Sequence, residues 1–290
     1  MSMLITMLGA TVAVAAAVRS TWSPCGLSML STITPFGERS RGHRYPVTVI
    51  WFVAGSILGG ATLGALAAGL AGLAAAAGLG THPGWVVSVA AVAAVAAAGV
   101  DAGWFGDLIP LWRRQVNDGW LARYRSWVYA TGFGWQIGVG VATYIMTAGV
   151  FLVVVLAAVT ANPVAAVAIC TGFGLVRGLA VILTARADSP ARLRDMHARF
   201  DRVGPAVRVA VILVELAVAV TVLGAQWSLA GWFIGFVLVA ATVAVGMVAA
   251  GERRAGVSPR PARGTPRLAG GRPGPETGLR PARAGPRRAE

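Results

Sequence analysis

Three ionisable side chains, Arg19, Arg177 and Glu215, fall within apolar stretches long enough to cross a bilayer. Charged groups are costly in hydrocarbon, so those that occur there pair with one another or line a path for a solute. Counted from the ends that border basic loops, Arg177 lies roughly 12 Å deep and Glu215 roughly 14 Å deep, at about 1.5 Å per residue. The similar depths predict an Arg177–Glu215 pair, which either locks two helices together or lines a substrate path.

Cys25 directly follows Pro24 inside the first apolar stretch. A proline interrupts a helix, and interrupted helices in membranes persist where they line a cavity or pack on protein. The exposed N–H groups of the following half-helix favour a thiolate, so Cys25 is a candidate redox or metal-binding thiol. Arg19, six residues earlier, either extends to the membrane surface or stabilises that thiolate. Cys170 lies in plain apolar sequence, where packing is the simpler role.

The composition requires that these groups be carried by membrane helices. Of the 290 residues, 56% are hydrophobic and only 12% are charged, whereas a soluble domain carries roughly 25% charged residues. The net charge of +14 comes from arginines that lie in loops and in the C-terminal tail. That distribution favours a one-sided membrane topology over specific nucleic-acid binding.

Seven stretches approach the roughly 20 apolar residues that a helix needs to cross a bilayer. They run from Met3 to about Pro35 with an interruption at residues 23–25, and then over Pro46–Gly78, Trp85–Val100, Gly132–Thr160, Pro163–Thr184, Ala206–Leu223 and Ser228–Ala250. We therefore predict an all-α, polytopic integral membrane bundle of about seven transmembrane helices.

The connections between these stretches alternate strictly in charge. Three carry several arginines each, and the three others carry none. The basic connections are residues 37–45, 101–131 and 185–205, and the others lie near residues 81–83, 161–162 and 224–226. Because positive charge stays on the cytoplasmic side, we predict an outside N-terminus, an inside C-terminus and a transmembrane domain over residues 1–250. The expected location is the plasma membrane of a bacterium.

The cytoplasmic parts contain two predicted amphipathic helices and a tail. One helix is the Trp-rich segment 112–127; the other begins at Ser189 as N-cap and Pro190 as first helical residue, with Phe200 on its apolar stripe. Such helices lie at the lipid headgroups or dock onto the bundle. Residues 251–290 are rich in Arg, Pro and Gly, so we expect a disordered tail that contacts anionic lipid.

Glycines four residues apart recur in three of the apolar stretches. The pairs are Gly55 with Gly59, Gly134 with Gly138, and Gly174 with Gly178. Small residues at this spacing let two helices approach closely, so we predict that these pairs serve helix packing.

The run Ser-Pro-Cys-Gly-Leu-Ser-Met-Leu-Ser at residues 23–31, a basic loop and then the run Phe52–Gly59 resemble the first half of the CcdA and DsbD transmembrane family. The Gly-rich run Gly172–Ile182 resembles its second half, and the resemblance covers about residues 1–220. Members of that family carry reducing equivalents across the membrane to thioredoxin-like or cytochrome-maturation partners. They use two cysteines, one in each of two inverted three-helix repeats. The resemblance implies such a repeat here, with the seventh span as an extra helix.

The second cysteine of that family has no counterpart in this chain. Spacing back from Gly178 places it near Thr143 to Thr147, where the sequence has neither Cys nor Pro. A dithiol relay needs a resolving thiol, which leaves Cys170 or the thiol of a partner. The alternative is that the scaffold carries a small solute or an ion. The residues that would line its path are Arg177, Glu215, Thr143 and Thr147.

Three functions stay open from the sequence. The first is a CcdA-like membrane carrier of reducing equivalents, or a maturation factor, that works with a thioredoxin-like or maturation partner through Cys25. The second is the solute or ion transporter, and the third is a non-catalytic assembly or scaffold protein that acts through its cytoplasmic helices and tail. The sequence contains no phosphate loop, clustered metal ligands or Ser/His/Asp set, so we expect no cofactor and no metal site. Whether the chain is an enzyme stays open.

Overall fold

A computed structural model describes residues 2–104 and 123–225, and these ranges are helical apart from short connections. Five of the described helices are long and apolar enough to cross a membrane, and a further apolar helix is shorter. The prediction of an all-α, multi-pass membrane bundle is therefore confirmed. The predicted seventh span at Ser228–Ala250, most of the Trp-rich segment and the C-terminal tail lie outside the described residues.

Proline stands in the first turn of six of the nine helices in the described ranges. An N–H in the first turn has no partner within the helix, so the missing N–H of proline costs no hydrogen bond there. The helices are α1 Ser2–Ser20, α2 Pro24–Thr32, α3 Pro35–Ser40, α4 Tyr45–Ala76, α5 Pro83–Ala102, α6 Ser126–Val139, α7 Gly149–Val159, α8 Pro163–Leu179 and α9 Pro190–Gly224. Short 3-10 turns follow α4 at Leu79–Thr81 and α8 at Ala180–Arg186.

The first apolar stretch is interrupted where the sequence predicts it. Helix α1 ends at Ser20 and α2 begins at Pro24. The Ser23 side chain accepts a hydrogen bond from the backbone N–H of Gly26 at 3.1 Å, which caps the new helix. With Ser23 as its cap, a separate half-helix therefore begins at Pro24.

The fourth predicted span, Gly132–Thr160, is not one helix. It is divided into α6 and α7 by a non-helical segment, residues 140–148. Gly140 ends α6 with φ of 76°, a conformation that L side chains rarely adopt. A Cβ at Gly140 would also lie 2.9 Å from the ring of Phe173. This second interruption therefore needs no proline, and the proline-based prediction missed it.

The predicted sixth span and the second cytoplasmic helix form a single helix, α9, of 35 residues. The predicted cap is confirmed, because Ser189 accepts a hydrogen bond from the Arg192 N–H, but the helix continues through Pro205. The N-terminal half of α9 docks on the bundle. The indole Nε1 of Trp22 donates to the Phe200 carbonyl oxygen at 2.8 Å, and the two rings lie 4.9 Å apart.

The order of elements in residues 2–102 recurs in residues 126–224. Each range contains an interrupted helix, then the helix with the closest glycine-mediated contacts (α4 or α8), then a third helix (α5 or α9). Helix α4 packs along α6 and α8, α5 packs along α9, and α1 packs against α7 and α8. Three crossings in each range would invert the second range relative to the first, as the predicted inverted repeat requires.

Glycines bring α4 into backbone contact with both α6 and α8, as predicted for the glycine pairs. A Cβ at Gly59 would lie well under 3.0 Å from the Trp135 carbonyl oxygen of α6, and one at Gly138 would meet the Ser56 backbone in the same way. On the other side, Ser56 donates a hydrogen bond to the carbonyl oxygen of Gly174 at 2.7 Å. Helix α4 is therefore closely packed against both α6 and α8.

Candidate functional site

Cys25 is the second residue of α2, immediately after the first interruption, and its side chain is 1% exposed. Pro24 contributes no N–H, and the Ser23 side chain caps the N–H of Gly26. The sulfur therefore stands at the start of a short half-helix, inside the bundle. The interruption predicted from Pro24 is what positions it there.

Arg177 of α8 interacts electrostatically with Cys25 of α2. The guanidinium is 3% exposed, and its Nη2 donates a long hydrogen bond of 3.4 Å to the Thr143 hydroxyl. Its carbon lies 5.8 Å from the centre of the Phe173 ring. The Nε and Nη1 groups have no hydrogen-bond partner within residues 2–104 and 123–225. A buried cation with unused donors favours a negative or acceptor group near it, and Cys25 is the group that acts on Arg177 electrostatically.

A small cavity of about 20 Å³ adjoins this cluster, which we call the Cys25 site (Cys25, Arg177 and Thr143). Arg177, Ser20 and Gly26 line it together with apolar side chains that include Met29 and Phe52. A cavity of this size holds about one water molecule. A larger reactant would reach the Cys25 site only after the helices around it move.

The predicted Arg177–Glu215 pair is not formed. The ion pairs in the described ranges all lie elsewhere, and both carboxyl oxygens of Glu215 lack a hydrogen-bond partner there. Arg177 faces Cys25 and Thr143, whereas Glu215 faces α5 and the start of α7. Equal depth on consecutive helices does not decide which faces of those helices meet, and this is why the prediction failed.

A second polar cluster, the Glu215 site (Glu215, Asp101 and Thr147), lies at the second interruption. Asp101, near the end of α5, accepts hydrogen bonds from the Thr147 hydroxyl and, at 2.7 Å, from the N–H of Ala148. Glu215 of α9 is 1% exposed and interacts electrostatically with Asp101. A Cβ at Gly149, the first residue of α7, would lie 3.0 Å from a Glu215 carboxyl oxygen. The glycine makes room for that carboxyl group.

The four residues predicted to line one path are therefore divided between two sites. Thr143 and Arg177 belong to the Cys25 site, and Thr147 and Glu215 belong to the Glu215 site. Sequence reasoning missed Asp101 because it placed that residue in a loop. The usable signal was an acidic residue directly after the alanine-rich run of the third stretch.

Cys170 has a different environment from Cys25. It is fully buried among the aliphatic side chains of the main core, and its carbonyl oxygen faces Gly60 of α4. Along α8 it is seven residues from Arg177, about 10 Å, and the two cysteines are not joined in a disulfide. The surroundings of Cys170 are those of a packing residue.

Arg19 is 9% exposed, so it does not extend to the surface. It interacts electrostatically with Asp101 and with Arg208 of α9. Of the two arginines that the sequence offered as partners for chemistry, Arg177 belongs with Cys25 and Arg19 belongs with the Glu215 site.

A third buried group, Glu38, was also missed from the sequence. It is fully buried and accepts hydrogen bonds from Thr48, Tyr129 and Arg41 at 2.6–2.7 Å. The His43 Nδ1 lies 3.7 Å from it. With all these partners Glu38 ties α3 to α4 and α6, which is a structural role.

Comparison with known proteins gives three similar relatives, each named methylamine utilization protein MauF. The Paracoccus denitrificans protein is 30% identical over 217 residues, which cover 74% of this chain and 76% of the relative. The Paracoccus versutus protein is 30% identical over 176 residues, 58% of this chain and 61% of the relative. The Methylophilus methylotrophus protein is 30% identical over 167 residues, 56% of each. No protein-family model and no solved structure matches the chain.

Proposed function

Because the chain belongs to the MauF family of methylamine utilization proteins, we propose that it is a membrane-embedded maturation factor in the use of methylamine, and that it works through Cys25. The observation that carries the proposal is the placement of Cys25 at the start of a half-helix and beside the buried guanidinium of Arg177. Helix starts and nearby cations are the surroundings in which reactive cysteines of other proteins are found.

The proposed chemistry is thiol–disulfide exchange with a partner protein. The Cys25 thiolate attacks one sulfur of a disulfide in the partner, so that a mixed disulfide forms and the partner's other sulfur leaves as a thiolate. A second thiol of the partner, or of another thiol protein, then attacks the mixed disulfide and releases Cys25. The environment of Cys170 does not favour it as that second thiol, because it is enclosed in the aliphatic core.

We further propose that the chain has a scaffold like that of the CcdA and DsbD family. The recurring order of an interrupted helix followed by two further helices supports it. So does the second interruption at residues 140–148, where the family's second cysteine would be expected. That segment carries threonines in place of a thiol, which is why we assign the resolving thiol to a partner, such as a thioredoxin-like protein.

The remaining parts of the proposal concern location. The three relatives are bacterial proteins, which supports the plasma membrane of a bacterium. The alternating arginine content of the loops supports an outside N-terminus and an inside C-terminus. The Arg-rich residues 251–290 would then contact anionic lipid on the cytoplasmic face.

The test is growth of the native host on methylamine, compared with growth on a carbon source that needs no methylamine utilization. We expect Cys25→Ser to abolish growth on methylamine alone, and the matched variant Cys170→Ser to grow normally. Immunoblots of the membrane fraction control for loss of the protein. Normal growth of the Cys25→Ser strain would show that the protein does not need the Cys25 thiol to function.

A solute transporter is the second candidate, because the unused donors of Arg177 would suit a small anionic solute. It predicts that Arg177→Gln abolishes growth on methylamine while Cys25→Ser leaves it intact. The thiol mechanism predicts that Cys25→Ser is the more damaging of the two. The same growth assay therefore separates the two functions.

A further inference from the structure

Glu215 is a buried acid whose charge the described bundle leaves uncompensated. Its side chain is 1% exposed, and neither carboxyl oxygen receives a hydrogen bond within the described helices. An isolated carboxylate is strongly destabilised when it is removed from water, so such a group takes up a proton or a cation, or else finds a paired donor. The charged group that acts on it is another acid, Asp101.

The neighbouring elements direct their donors to Asp101 and not to Glu215. Thr147 and the Ala148 N–H, which precede α7, donate to the two carboxyl oxygens of Asp101. From α1, Arg19 interacts electrostatically with Asp101, and from α9 itself Arg208 donates to the Asp101 carbonyl oxygen at 2.8 Å. These donors favour the charged form of Asp101 over that of Glu215, whose carboxyl oxygens receive no hydrogen bond in the described ranges. Two adjacent carboxylates in a low-dielectric interior do not both stay ionised.

We propose that Glu215 is a proton-binding site within the bundle, paired with the ionised carboxylate of Asp101 at the second interrupted helix. A proton from water adds to one Glu215 oxygen, which gives a neutral carboxylic acid, and the pair then carries a single negative charge that faces Arg19 and Arg208. Neither Cys25 nor Arg177 takes part, so the site stands independently of the thiol chemistry.

Gly149 makes the position of Glu215 suitable for binding and releasing a proton. It is the first residue of α7, and the absence of a side chain lets the Glu215 carboxyl group rest 3.0 Å from where a Cβ would lie. Loss of the proton would leave a carboxylate with no donor, so release requires that water enter or that the start of α7 move away. Proton binding is therefore linked to the position of the segment that also carries Thr147.

The experiment is infrared spectroscopy of the full chain in lipid nanodiscs at neutral pH. The wild type should show the C=O stretching band of a buried protonated carboxyl group. The band should disappear in Glu215→Gln, which has the shape of the protonated acid, and remain in Cys25→Ser. Selective carbon-13 labelling of glutamate should shift the band in the wild type, whereas labelling of aspartate should not, so the test does not depend on any variant folding.

Three results would overturn the proposal. One is the absence of a protonated carboxyl band in the wild type. Another is a band that shifts with labelled aspartate, which would assign the proton to Asp101. The third is loss of the band when sodium or potassium ions are added at constant pH, which would show that the site binds a cation in place of a proton.

Discussion

Replacing Gly59 by alanine tests whether the contact between α4 and α6 is as close as the structure shows. The new Cβ would meet three backbone atoms of α6, in Trp135, Gly138 and Val139, all at no more than 3.0 Å. Backbone atoms have no rotamers through which to relieve the overlap, so the helices must separate. Overpacking of this kind costs about 1–3 kcal/mol, and we expect the upper part of that range.

The matched control is Gly69→Ala on the same helix, where an added Cβ meets no atom within 4 Å. Alanine is favoured over glycine inside a helix by about 1 kcal/mol, and this gain applies to both variants. The free energy of unfolding should therefore fall by about 2 kcal/mol in Gly59→Ala and rise by up to about 1 kcal/mol in Gly69→Ala. A difference of about 3 kcal/mol is more than a hundredfold in the unfolding equilibrium.

The assay is reversible unfolding of the purified chain in mixed micelles, followed by helical circular dichroism as the fraction of denaturing detergent is raised. If the two variants unfold together, the backbone contact between α4 and α6 does not exist in the form described. The expected order places Gly69→Ala at or above the wild type and Gly59→Ala well below it.

Two further predictions concern polar contacts and docking. Glu38→Gln should lower the free energy of unfolding by about 2 kcal/mol, because a buried carboxylate loses charge-assisted hydrogen bonds. The control Asp188→Asn, which removes an exposed ion pair, should change the free energy of unfolding by at most about 1 kcal/mol. Equal effects of the two variants in the same unfolding assay would contradict the buried hydrogen-bond network of Glu38. Phe200→Ala removes the ring that packs on Trp22, so limited trypsin digestion should cleave the N-terminal half of α9 several-fold faster than in the wild type. An unchanged rate would mean that this half is held by other contacts.

Local signals in the sequence were sufficient to predict the first helix interruption and the close helix contacts at the glycine pairs. Ser23 and Pro24 carry the geometry of a helix start within two residues, and the structure places α2 there. Glycine pairs four residues apart mark helix faces, and α4 meets α6 and α8 on those faces. In both cases the cause lies within a few residues, so no knowledge of the partner helix was needed.

The remaining features depend on which helix faces meet. The second interruption is set by Gly140, one of 38 glycines in the chain, which has a positive φ and a position where a Cβ would overlap the Phe173 ring. The absence of an Arg177–Glu215 pair has the same origin, since depth along a helix was predictable and rotation about it was not. The continuity of α9 through Pro205 was likewise missed, because proline is ordinarily a boundary signal.

We propose that Cys25 is the thiol through which the protein acts. The most direct measurement is trapping of Cys25 in intact membranes of methylamine-grown cells, with a membrane-permeant alkylating reagent applied before and after reductant, in a Cys170→Ser background. We expect part of Cys25 to be oxidised in a mixed disulfide with a partner and to become alkylated only after reduction. A Cys25 that is equally alkylated with and without reductant, or that never reacts, would contradict it.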